Sequence, residues 1–560
     1  MSTNIESPEL AKRDNSELFP LPKGWTWTNL SAIAALKGGI TKGQKRKSQD
    51  ILSLVPYLRV ANVQRGYLDL ADIKQIEATE DEIKELRLLP GDILFNEGGD
   101  RDKLGRGWVW RGEIPECIHQ NHVFRARLYV PELQSKLISW YGNSFGQRYF
   151  ISEGKQTTNL ASINLTKLGA LPIPLPPINE QHRIVAEIET QFSRLDAVVT
   201  VLKRVQANLK RYRASVLQAS CEGRLVPTEA ELARTEGRSY ESADELLQRI
   251  LRERRAKWES EQLTAMKAEG KIPKDDRWKS KYREPAKPDT SELPELPEGW
   301  AWTNLSAVAE LKGGLTKGQK RKSNDTLHSV PYLRVANVQR GFLDLTEIKQ
   351  IEATKEEIRE LRLSPGDILF NEGGDRDKLG RGWIWRGEIP DCIHQNHVFR
   401  ARLYVHDIQS KFMSWYGNSL AQQYFMSEGK QTTNLASINL TKLGALPVPL
   451  PPVPEQDRIV AEVERRLSVI DELEAVIATN LKRADRLRQA MLKRAFEGKL
   501  VPQDPTDEPA SILLERIRTE RERPAGKPKV ALPQTNAPQP IVQPKATAPV
   551  QGELALEFHQ

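Results

Sequence analysis

The sequence has little cysteine and no long hydrophobic run. Only three cysteines occur in 560 residues, and Cys117 and Cys392 hold equivalent places in an internal repeat, which does not favour a bridge between them. An odd, sparse count argues against a disulfide framework and for a reducing compartment. No stretch approaches the roughly 18 apolar residues of a membrane span, and residues 1–21 lack the apolar core of an export signal. We therefore expect a cytoplasmic protein.

Motifs for nucleotide, cofactor and metal chemistry are also missing. No G-x-x-x-x-G-K-[ST] phosphate loop occurs, which argues against ATP-driven work, and nothing downstream completes a site at GGITKG (38–43). There is no Asn/Asp-Pro-Pro-aromatic motif of the kind that amino-methyltransferases carry, and no convincing nuclease carboxylate set. Cys117, His119 and His122 lack the spacing of a zinc site, and a second ligand pair is missing. We therefore expect no metal.

The charge balance is mildly positive. Lys and Arg number 83 and Asp and Glu 75, which gives a formal net charge of +8 and a pI of about 9.1. Such a balance favours an anionic partner, nucleic acid above all. Because many basic proteins bind nothing anionic, charge alone does not decide the function.

The dominant feature of the chain is a long internal repeat. Residues 24–177 align with 299–452 without a gap at a constant offset of 275, and 127 of 154 positions are identical. This period is too long for a solenoid unit. It indicates two whole domains of one kind, each followed by a PLPP hinge and a long helix.

Within each copy, short strand-like and helix-like stretches follow one another irregularly. Strand-like composition is found at 55–63, 67–70, 93–95 and 123–130. Helix-like stretches are 29–36, 79–89 and 137–150. The alternation in 123–130 predicts one solvated face of that strand. Without regular βαβ alternation, the pattern predicts an α+β fold.

The two long helices carry heptad repeats. In the helix of about 179–222, one seam is Ile188, Leu195, Leu202, Leu209 and Val216, and its companion is Ile184, Gln191, Val198, Val205 and Tyr212. In the second copy the seams are Val463, Ile470, Ile477, Ala484 and Met491, and Leu473, Asn480 and Leu487. Two sustained seams predict a coiled-coil face. At a length of roughly 65 Å the helices are spacers that we expect to pack on each other. Asn480 either fixes their register or marks a bend.

These features divide the chain into eight segments. We predict a disordered N-terminus (1–21), domain 1 (22–177), spacer helix 1 (178–227), a charged helix and linker (228–296), domain 2 (297–452), spacer helix 2 (453–502), a short helix (503–523) and a disordered Pro-rich tail (524–560).

Polar loops in each domain suit nucleic acid. The loop KGGITKGQKRK (37–47) can bind phosphates, which fixes position and not sequence, although it also fits a solvated charge run. Base edges need planar side chains such as Arg, Asn, Gln and carboxylates, and these collect at 59–65, 96–106, 119–122 and 155–159. Four such loops, repeated in both domains, favour base readout. The candidate DNA-contacting residues are Lys42, Lys45, Arg46, Lys47, Arg59, Asn62, Gln64, Asn96, Glu97, Asp100, Arg101, His119, Asn121, Lys155, Gln156, Lys317, Lys320, Arg321, Lys322, Arg334, Asn337, Gln339, Asn371, Glu372, Asp375, Arg376, His394, Asn396, Lys430 and Gln431.

Three stretches together carry a family resemblance. They are PLPPxxEQxRIVAExE (174–189 and 449–464), GDILFNEG (91–98 and 366–373) and FEGKLVPQDPTDEPASILLERI (496–517). From Pro22 to about Arg523 the chain resembles the specificity subunits of type I restriction–modification systems, which have the same order of domain, helix, domain, helix.

The resemblance implies that each domain is a target recognition domain for double-stranded DNA. It implies that two modification subunits dock on the helices, bind S-adenosylmethionine and methylate adenine, and that a motor–nuclease restriction subunit, which uses ATP and Mg²⁺, can join them. It also implies that this chain is not an enzyme and binds no cofactor itself. The family has no short catalytic motif, so the candidate residues rest on the loop argument.

The near-identity of the two domains departs from the usual member of this family, which carries two dissimilar domains. Every candidate residue of one domain is retained in the other, so we expect both domains to read the same half-site. Antiparallel helices would give a bipartite palindrome and head-to-tail packing a direct repeat; we favour the palindrome.

Two interpretations from other classes stay open. One is a nuclease that holds Mg²⁺ with Glu97, Asp100 and Asp102, although Arg101 and Lys103 between them fit DNA contact equally well. The other is a structural adaptor whose helices join protein partners.

Overall fold

The computed structural model describes residues 18–43, 49–99, 103–156, 161–271, 273, 275–318, 325–374, 378–431 and 436–522. The chain divides into two units, one made of residues 1–192 and 488–560 and the other of residues 193–487. Each unit holds one domain, the first part of the helix that follows it and the last part of the other long helix. Of the segments predicted to be disordered, 1–21 and 524–560, only residues 18–21 are described, and there Phe19 packs against Trp27 with the ring centres 5.0 Å apart.

Domain 1 is a mixture of short strands and short helices. In chain order its elements are β1 Thr26–Asn29, α1 Leu30–Ile33, β2 Ala34–Lys37, β3 Ser53–Leu58, β4 Val63–Gln64, β5 Tyr67–Leu68, β6 Lys74–Ala78, α2 Glu80–Leu86, β7 Ile93–Asn96, β8 Gly98–Gly99, β9 Gly107–Val109, β10 Ile118–His119, β11 Val123–Leu128, α3 Ser135–Asn143, α4 Gly146–Glu153, β12 Lys155–Gln156, β13 Ala161–Ser162, α5 Leu165–Gly169 and β14 Pro172–Leu175. The predicted α+β class is confirmed.

A four-stranded antiparallel sheet, β2-β11-β7-β9, forms the centre of domain 1. Its register places Phe124 opposite Phe95, and helix α3 packs on β9. The Phe95 ring lies 6.4 Å from that of Phe150 in the core. A second sheet, β10-β3-β6, joins β10 to β3 in parallel. Strand β1 pairs with β14, so the two ends of the domain meet where the long helix begins.

The long helix α6, Ile178–Cys221, follows domain 1, and three shorter helical segments separate it from domain 2. These are α7 Glu229–Glu236, α8 Ala243–Ala268 and a 3-10 helix, Asp276–Lys281.

Domain 2 repeats the elements of domain 1 in the same order. They are β15 Ala301–Asn304, α9 Leu305–Val308, β16 Ala309–Lys312, β17 His328–Leu333, β18 Val338–Gln339, β19 Phe342–Leu343, β20 Lys349–Ala353, α10 Lys355–Leu361, β21 Ile368–Asn371, β22 Gly373–Gly374, β23 Gly382–Ile384, β24 Ile393–His394, β25 Val398–Leu403, α11 Ser410–Asn418, α12 Ala421–Glu428, β26 Lys430–Gln431, β27 Ala436–Ser437, α13 Leu440–Gly444 and β28 Pro447–Leu450. The long helix α14, Val453–Phe496, and the short helix α15, Ala510–Glu522, follow domain 2.

Three sequence-based expectations about local structure are wrong. The stretch 29–36 is helical only in α1 and continues as strand β2. The helix expected over 137–150 is two helices, interrupted at Ser144. Strand β11 has no solvated face at Arg125, which is 7% exposed and donates to the carbonyl oxygens of Glu85 and Arg87. Because the guanidinium finds carbonyl acceptors inside the domain, the alternation of residue types did not report exposure.

In the second unit the segments of α6 and α14 run antiparallel. Arg213 on α6 pairs with Asp471 and Glu474 on α14, whereas Glu229, downstream of α6, donates from its backbone N–H to Glu455 near the start of α14. Moving forward along one segment therefore means moving backward along the other. Residues 200–221 carry five basic and no acidic side chains, and residues 453–474 carry seven acidic and three basic. This charge pattern favours the antiparallel direction.

The first unit shows the same antiparallel direction. The Arg488 guanidinium of α14 lies 4.9 Å from the centre of the Phe192 ring of α6. Farther back along α6, Arg183 pairs at 2.6 Å with Asp507, which follows α14. Arg458, the counterpart of Arg183, pairs at 2.7 Å with Glu229 in the second unit. In each unit an arginine near the start of one long helix therefore pairs with a carboxylate in the segment that follows the other.

Only one of the two predicted heptad seams is a packing seam in the second unit. Val463, Ile470, Ile477 and Ala484 are buried, but the companion positions Val198, Tyr212, Leu473 and Leu487 are each more than 40% exposed. Asn480 donates to Val476 O of its own helix at 2.9 Å, so its amide is used within α14. The heptad pattern thus predicts two apolar faces, and in the second unit one of them is exposed to solvent.

The segment 228–296 docks on domain 2 as the C-terminal segment docks on domain 1. Ala243 N donates to Gly299 O, and Ala510 N donates to Gly24 O, both at 2.9 Å. Helix α8 then continues beyond the length of α15, and its Trp258 stacks on Trp278 at 5.9 Å. The start of α8 therefore contacts domain 2 at the place where the start of α15 contacts domain 1.

None of the helices in the described part of the chain is both long and apolar enough to cross a membrane.

Candidate nucleic-acid interface

The stem of the cationic loop is joined to the turn between β10 and β11. Ile40 N donates to His119 O at 2.8 Å, and Asn121 N donates to Ile40 O at 2.9 Å. Gly39 allows this close approach, because a Cβ there would lie 1.8 Å from His119 O. In domain 2, Gly314 has the same relation to His394 O. Gly39 therefore allows the first part of the loop, residues 37–43, to lie beside the β10–β11 turn.

Two further loops join the same place. Glu97 N donates to His122 O, and Ile163 N donates to Glu97 O, both at 2.9 Å. Strand β13 pairs with both β8 and β12, which carries Lys155. The structure thus brings together segments 37–43, 97–99, 119–122 and 155–156, which we call the loop surface of domain 1. Segments 312–318, 372–374, 394–397 and 430–431 form its counterpart in domain 2.

A carboxylate–imidazole pair stands at the centre of the loop surface. Glu97 Oε2 lies 2.5 Å from His122 Nδ1, and the two side chains are 28% and 54% exposed. Asn121 Nδ2 lies 3.4 Å from His122 Nε2. In domain 2, Glu372, His397 and Asn396 make the same contacts. Fixed amide, imidazole and carboxylate edges that face solvent are the groups that read base edges.

Sequence reasoning included Glu97 and Asn121 among the candidates and missed His122 and His397. The signal was available, because His122 adjoins Asn121 in the polar stretch 119–122. What the sequence lacked was the pairing with Glu97, 25 residues away.

Three of the predicted pairs of base-contacting residues are buried inside their domains, and their contact with bases stays a prediction. Asn96, His119 and their counterparts Asn371 and His394 are 0% exposed, and Asn62 and Asn337 are 3% exposed. The Asn96 amide donates to Val63 O at 2.9 Å and ties the loop 59–65 to β7. At this degree of burial the side chains present no edge at the surface of the domain, where a base would be contacted.

The buried His119 is a structural residue. Its Nδ1 lies 2.6 Å from Val123 O, and burial, with a smaller contribution from Arg125, lowers its pKa to about 4. His394 has the same bond and the same lowered pKa. Both imidazoles are therefore neutral near pH 7. Because the carbonyl must accept from an N–H at Nδ1, the proton is on that nitrogen.

Asn62 and Asn337 close hairpin turns. Asn62 Oδ1 accepts from Arg59 N at 2.9 Å, and its Nδ2 donates to Asp69 O and Asp72 O. Asn337 makes the matching bonds in domain 2. Asparagine is favoured both in turns and on adenine edges, so the residue type alone did not separate these roles.

Arg59, Gln64 and their counterparts are partly exposed and have partners of their own. Arg59 pairs with Asp72 at 2.9 Å and Arg334 with Glu347 at 3.4 Å. Gln64 and Gln339 donate to the carbonyl oxygens of Ala61 and Ala336, both at 2.7 Å. Among the described residues, none of these bonds leads to the loop surface. That the four side chains contact bases stays a prediction.

The remaining candidates are exposed or lie outside the described residues. Lys42, Lys155, Lys317 and Lys430 are exposed. Outside the described part are Lys45, Arg46, Lys47, Asp100, Arg101, Lys320, Arg321, Lys322, Asp375 and Arg376, together with the side chains of Gln156 and Gln431. Their contact with DNA also stays a prediction.

Metal-binding chemistry finds little support among the residues that the structure describes. No group of three or more His, Cys, Asp and Glu side chains there could hold a metal ion. Cys117 is fully buried, and burial raises the pKa of its thiol to about 12. A buried, protonated thiol is a poor ligand.

Comparison with known proteins gives a family match for part of the chain and relatives over most of it. The family described as "Type I restriction modification DNA specificity domain" matches residues 297–483. The EcoKI specificity subunit of Escherichia coli strain K12 is 24% identical over 531 residues, covering 90% of this chain and 97% of that protein. The StySPI specificity subunit of Salmonella potsdam is 24% identical over 527 residues with the same coverage.

The fold also has a solved relative. A chain from "Structural basis underlying complex assembly and conformational transition of the type I R-M system" aligns with a TM-score of 0.57 and 17% identity, covering 86% of this chain and all of that one. At this identity the similarity supports the fold alone.

Two similar domains with exposed polar loop surfaces, each followed by a long helix, have the arrangement of a DNA-recognition protein, in agreement with the matched DNA specificity domain. Residues 297–483 match the specificity domain of type I restriction–modification systems, and over about nine-tenths of its length the chain is similar to specificity subunits of type I restriction enzymes.

Proposed function

We propose that this subunit reads a bipartite, palindromic DNA target and holds two adenine methyltransferase subunits and a restriction subunit on it. The observation that carries the proposal is the presence of the same exposed Glu–His–Asn arrangement in both domains. Two identical arrangements of readers select identical half-sites, because base choice follows the geometry and type of the contacting side chains.

The direction of the helices supports inverted half-sites. Within each unit the segments of α6 and α14 run antiparallel, as the pairs of Arg213 with Asp471 and of Arg183 with Asp507 indicate. An antiparallel helix pair has two-fold character, and the two strands of duplex DNA are related in the same way. This direction favours a palindrome with a fixed gap over a direct repeat.

An open apolar stripe on each long helix supports docking of the methyltransferase subunits. On α6 the stripe contains Val198 and Val201, 54% and 52% exposed, together with Val205 and Tyr212. On α14 the equivalent stripe contains Leu473 and Val476, 44% and 50% exposed, and Leu487. Contiguous exposed apolar side chains mark protein-binding surfaces. Two equivalent stripes, 275 residues apart, fit two copies of one partner.

In this proposal the chemistry belongs to the partners. S-adenosylmethionine is bound by the methyltransferase subunits, and ATP and Mg²⁺ by the restriction subunit. The residues of this chain position the DNA and the partners, and no cofactor is assigned to them.

The experiment is a comparison of adenine methylation across the genome of the native host and of a strain that lacks this gene. A bipartite palindromic motif that disappears with the gene is the expected result. An asymmetric motif that disappears would keep the DNA-reading role and contradict the palindrome.

A biochemical test distinguishes the nuclease interpretation from the DNA-reading role. Purified chain is incubated with DNA and Mg²⁺ in the absence of any partner, and Glu97→Gln serves as the control variant. Intact DNA is expected. Cleavage that is lost in Glu97→Gln would contradict a purely DNA-reading role.

A further inference from the structure

Domain 2 has an open cationic pocket at the start of β17. The pocket has a volume of about 470 Å³ and is lined by His328, Val330, Lys355, Ile358, Arg359, Arg362 and Asp391. Three of these side chains are permanent cations and one is a carboxylate. The pocket therefore carries an excess of positive charge before the histidine is counted.

Two of the cations, Lys355 and Arg359, have no ion-pair partner among the described residues. Arg362 pairs with Asp391 at 2.8 Å, which neutralises one positive charge and the carboxylate. In the described part of the chain, Lys355 and Arg359 make no ion pair. His328 Nε2 is buried and has no hydrogen-bond partner there. Two free cations and an unsatisfied ring nitrogen are the groups that an anion with several oxygens would satisfy.

The equivalent place in domain 1 has a different charge. Ser53, Glu80, Lys84 and Glu116 stand where domain 2 has His328, Lys355, Arg359 and Asp391. Four of the seven lining positions differ, although only 27 of the 154 aligned positions differ overall. With Arg87 in place of Arg362, domain 1 has two cations against two carboxylates. The two copies have therefore diverged in charge at this place.

The pocket is connected to the loop surface by one strand. β17 begins at His328, shortly after the cationic loop, and its last residue, Leu333, accepts from Gln395 N at 2.9 Å. Five residue steps along a strand span about 17 Å. Duplex DNA carries one phosphate charge per about 1.7 Å of its axis, so a duplex on the loop surface presents several phosphates over this distance.

We propose that the pocket of His328, Lys355 and Arg359 binds a phosphate group, and that domain 2 thereby holds a phosphate of the DNA backbone that domain 1 does not hold. The DNA part of the proposal rests on the proposed function. As a consequence, both domains read the same bases, but domain 2 has the higher affinity for its half-site. Phosphate contacts add affinity without adding sequence information.

The experiment exchanges the pocket residues between the two copies in the full chain. The variant H328S/K355E/R359K gives domain 2 the residues of domain 1, and S53H/E80K/K84R does the reverse. Each substituted residue already occurs at the same place in a domain of the same fold, which favours folding. Lys267→Glu, at an exposed site on α8, controls for net charge.

Binding to cognate and random duplexes is measured across salt concentrations. Loss of one phosphate contact should lower the slope of log affinity against log salt by about 0.9, or roughly threefold in affinity between 50 and 200 mM salt. The first variant should show this loss on both duplexes and the second a comparable gain. Equal slopes in all variants, or an equal loss in Lys267→Glu, would overturn the DNA contact.

A second measurement identifies the source of the phosphate. Inorganic phosphate and pyrophosphate are titrated against the full chain without DNA, and the 31P linewidth reports binding. Broadening that the first variant abolishes, together with unchanged DNA slopes, would assign the pocket to free phosphate. No broadening and no change in slope would overturn the proposal. If the wild-type chain bound no duplex at all, the proposed function would be wrong. The 31P titration alone would then show whether the pocket binds phosphate.

Discussion

Trp25 and Glu180 are joined by a buried hydrogen bond of 2.9 Å from the indole Nε1 to the carboxylate Oε2. Trp25 begins domain 1 and Glu180 lies in the first turn of α6, and the carboxyl group is 2% exposed. The same bond, at 2.8 Å, joins Trp300 to Glu455 in domain 2. Burial raises the pKa of both carboxyl groups. Each domain is thus fastened to its spacer helix by one indole donor.

Replacing this donor should loosen the junction between domain and helix. Trp25→Phe keeps most of the buried surface but leaves the Glu180 oxygen unsatisfied, which costs about 1–3 kcal/mol of unfolding free energy. Urea unfolding measures the loss. Trp27→Phe is the matched control, because the Trp27 indole makes a longer bond of 3.4 Å to Phe19 O. An equal loss in the two variants would contradict the assigned role of Trp25.

The buried histidines predict how stability changes with pH. The pKa of His119 and of His394 is lowered from 6.5 to about 4 by burial. Between these values the unfolded chain binds protons that the folded chain does not, so stability falls as the pH falls from 6.5 to 4. The loss approaches about 3 kcal/mol for each histidine.

Urea unfolding between pH 4.5 and 7 measures this dependence. The buried carboxyl groups of Glu180 and Glu455 act in the opposite sense, since their raised pKa favours the folded state at lower pH. The variant His119→Asn/His394→Asn keeps a donor near Nδ1 and removes the titration, so its profile should be flatter than that of the wild type. If that variant does not fold, NMR titration of the wild-type imidazoles replaces it. Titration of either ring near pH 6.5 would refute the prediction.

His122 and Asn96 should have opposite effects when they are replaced. His122→Ala removes an exposed imidazole and should cost about 1–3 kcal/mol of base discrimination at one position, with little change in stability. Asn96→Ala removes the buried bonds to Val60 O and Val63 O and should cost about 1–3 kcal/mol of stability. Competition between duplexes with single base changes, together with urea unfolding, measures both effects. Unchanged discrimination in His122→Ala would exclude His122 as a reader.

A charge on the open stripe should prevent docking of the methyltransferase subunit. Val201→Glu and Val476→Glu place a carboxylate among exposed apolar side chains, where its desolvation in a complex is costly. We expect each variant to bind one methyltransferase subunit less than the wild type, as counted by native mass spectrometry. Ala207→Glu, exposed on α6 outside the stripe, is the control. Loss of a subunit in the control, or full assembly in both stripe variants, would contradict docking on this face.

The sequence predicted the long elements and the repeat better than the roles of single polar residues. The start of α6 was placed within one residue of Ile178, because a proline hinge and a sustained heptad act together over many residues. Periodicity could not show that the seam through Val198 is open, because an apolar heptad looks the same whether it packs against its own chain or awaits a partner.

The same limit applied to the candidate site. Asn96 and His119 have the chemistry of base readers, but they are buried by contacts with residues far away in the sequence. His122 becomes a candidate because its imidazole pairs with Glu97, and the two residues come together only in the folded chain. The loops were found by composition, and their assembly into one surface required the backbone pairing of Ile40 with Gln120.

The most direct test of the central claim is the methylated motif produced by a chain in which residues 299–452 are replaced by the sequence of residues 24–177. The exchange alters 27 of 154 positions and none of the exposed Glu, His and Asn residues that we propose as readers. If both domains read one half-site in inverted orientation, genome-wide detection of methyladenine will find the same palindromic motif as with the native chain, even where methylation is weaker. A motif that changes in one half, or that is asymmetric in either strain, would contradict the account.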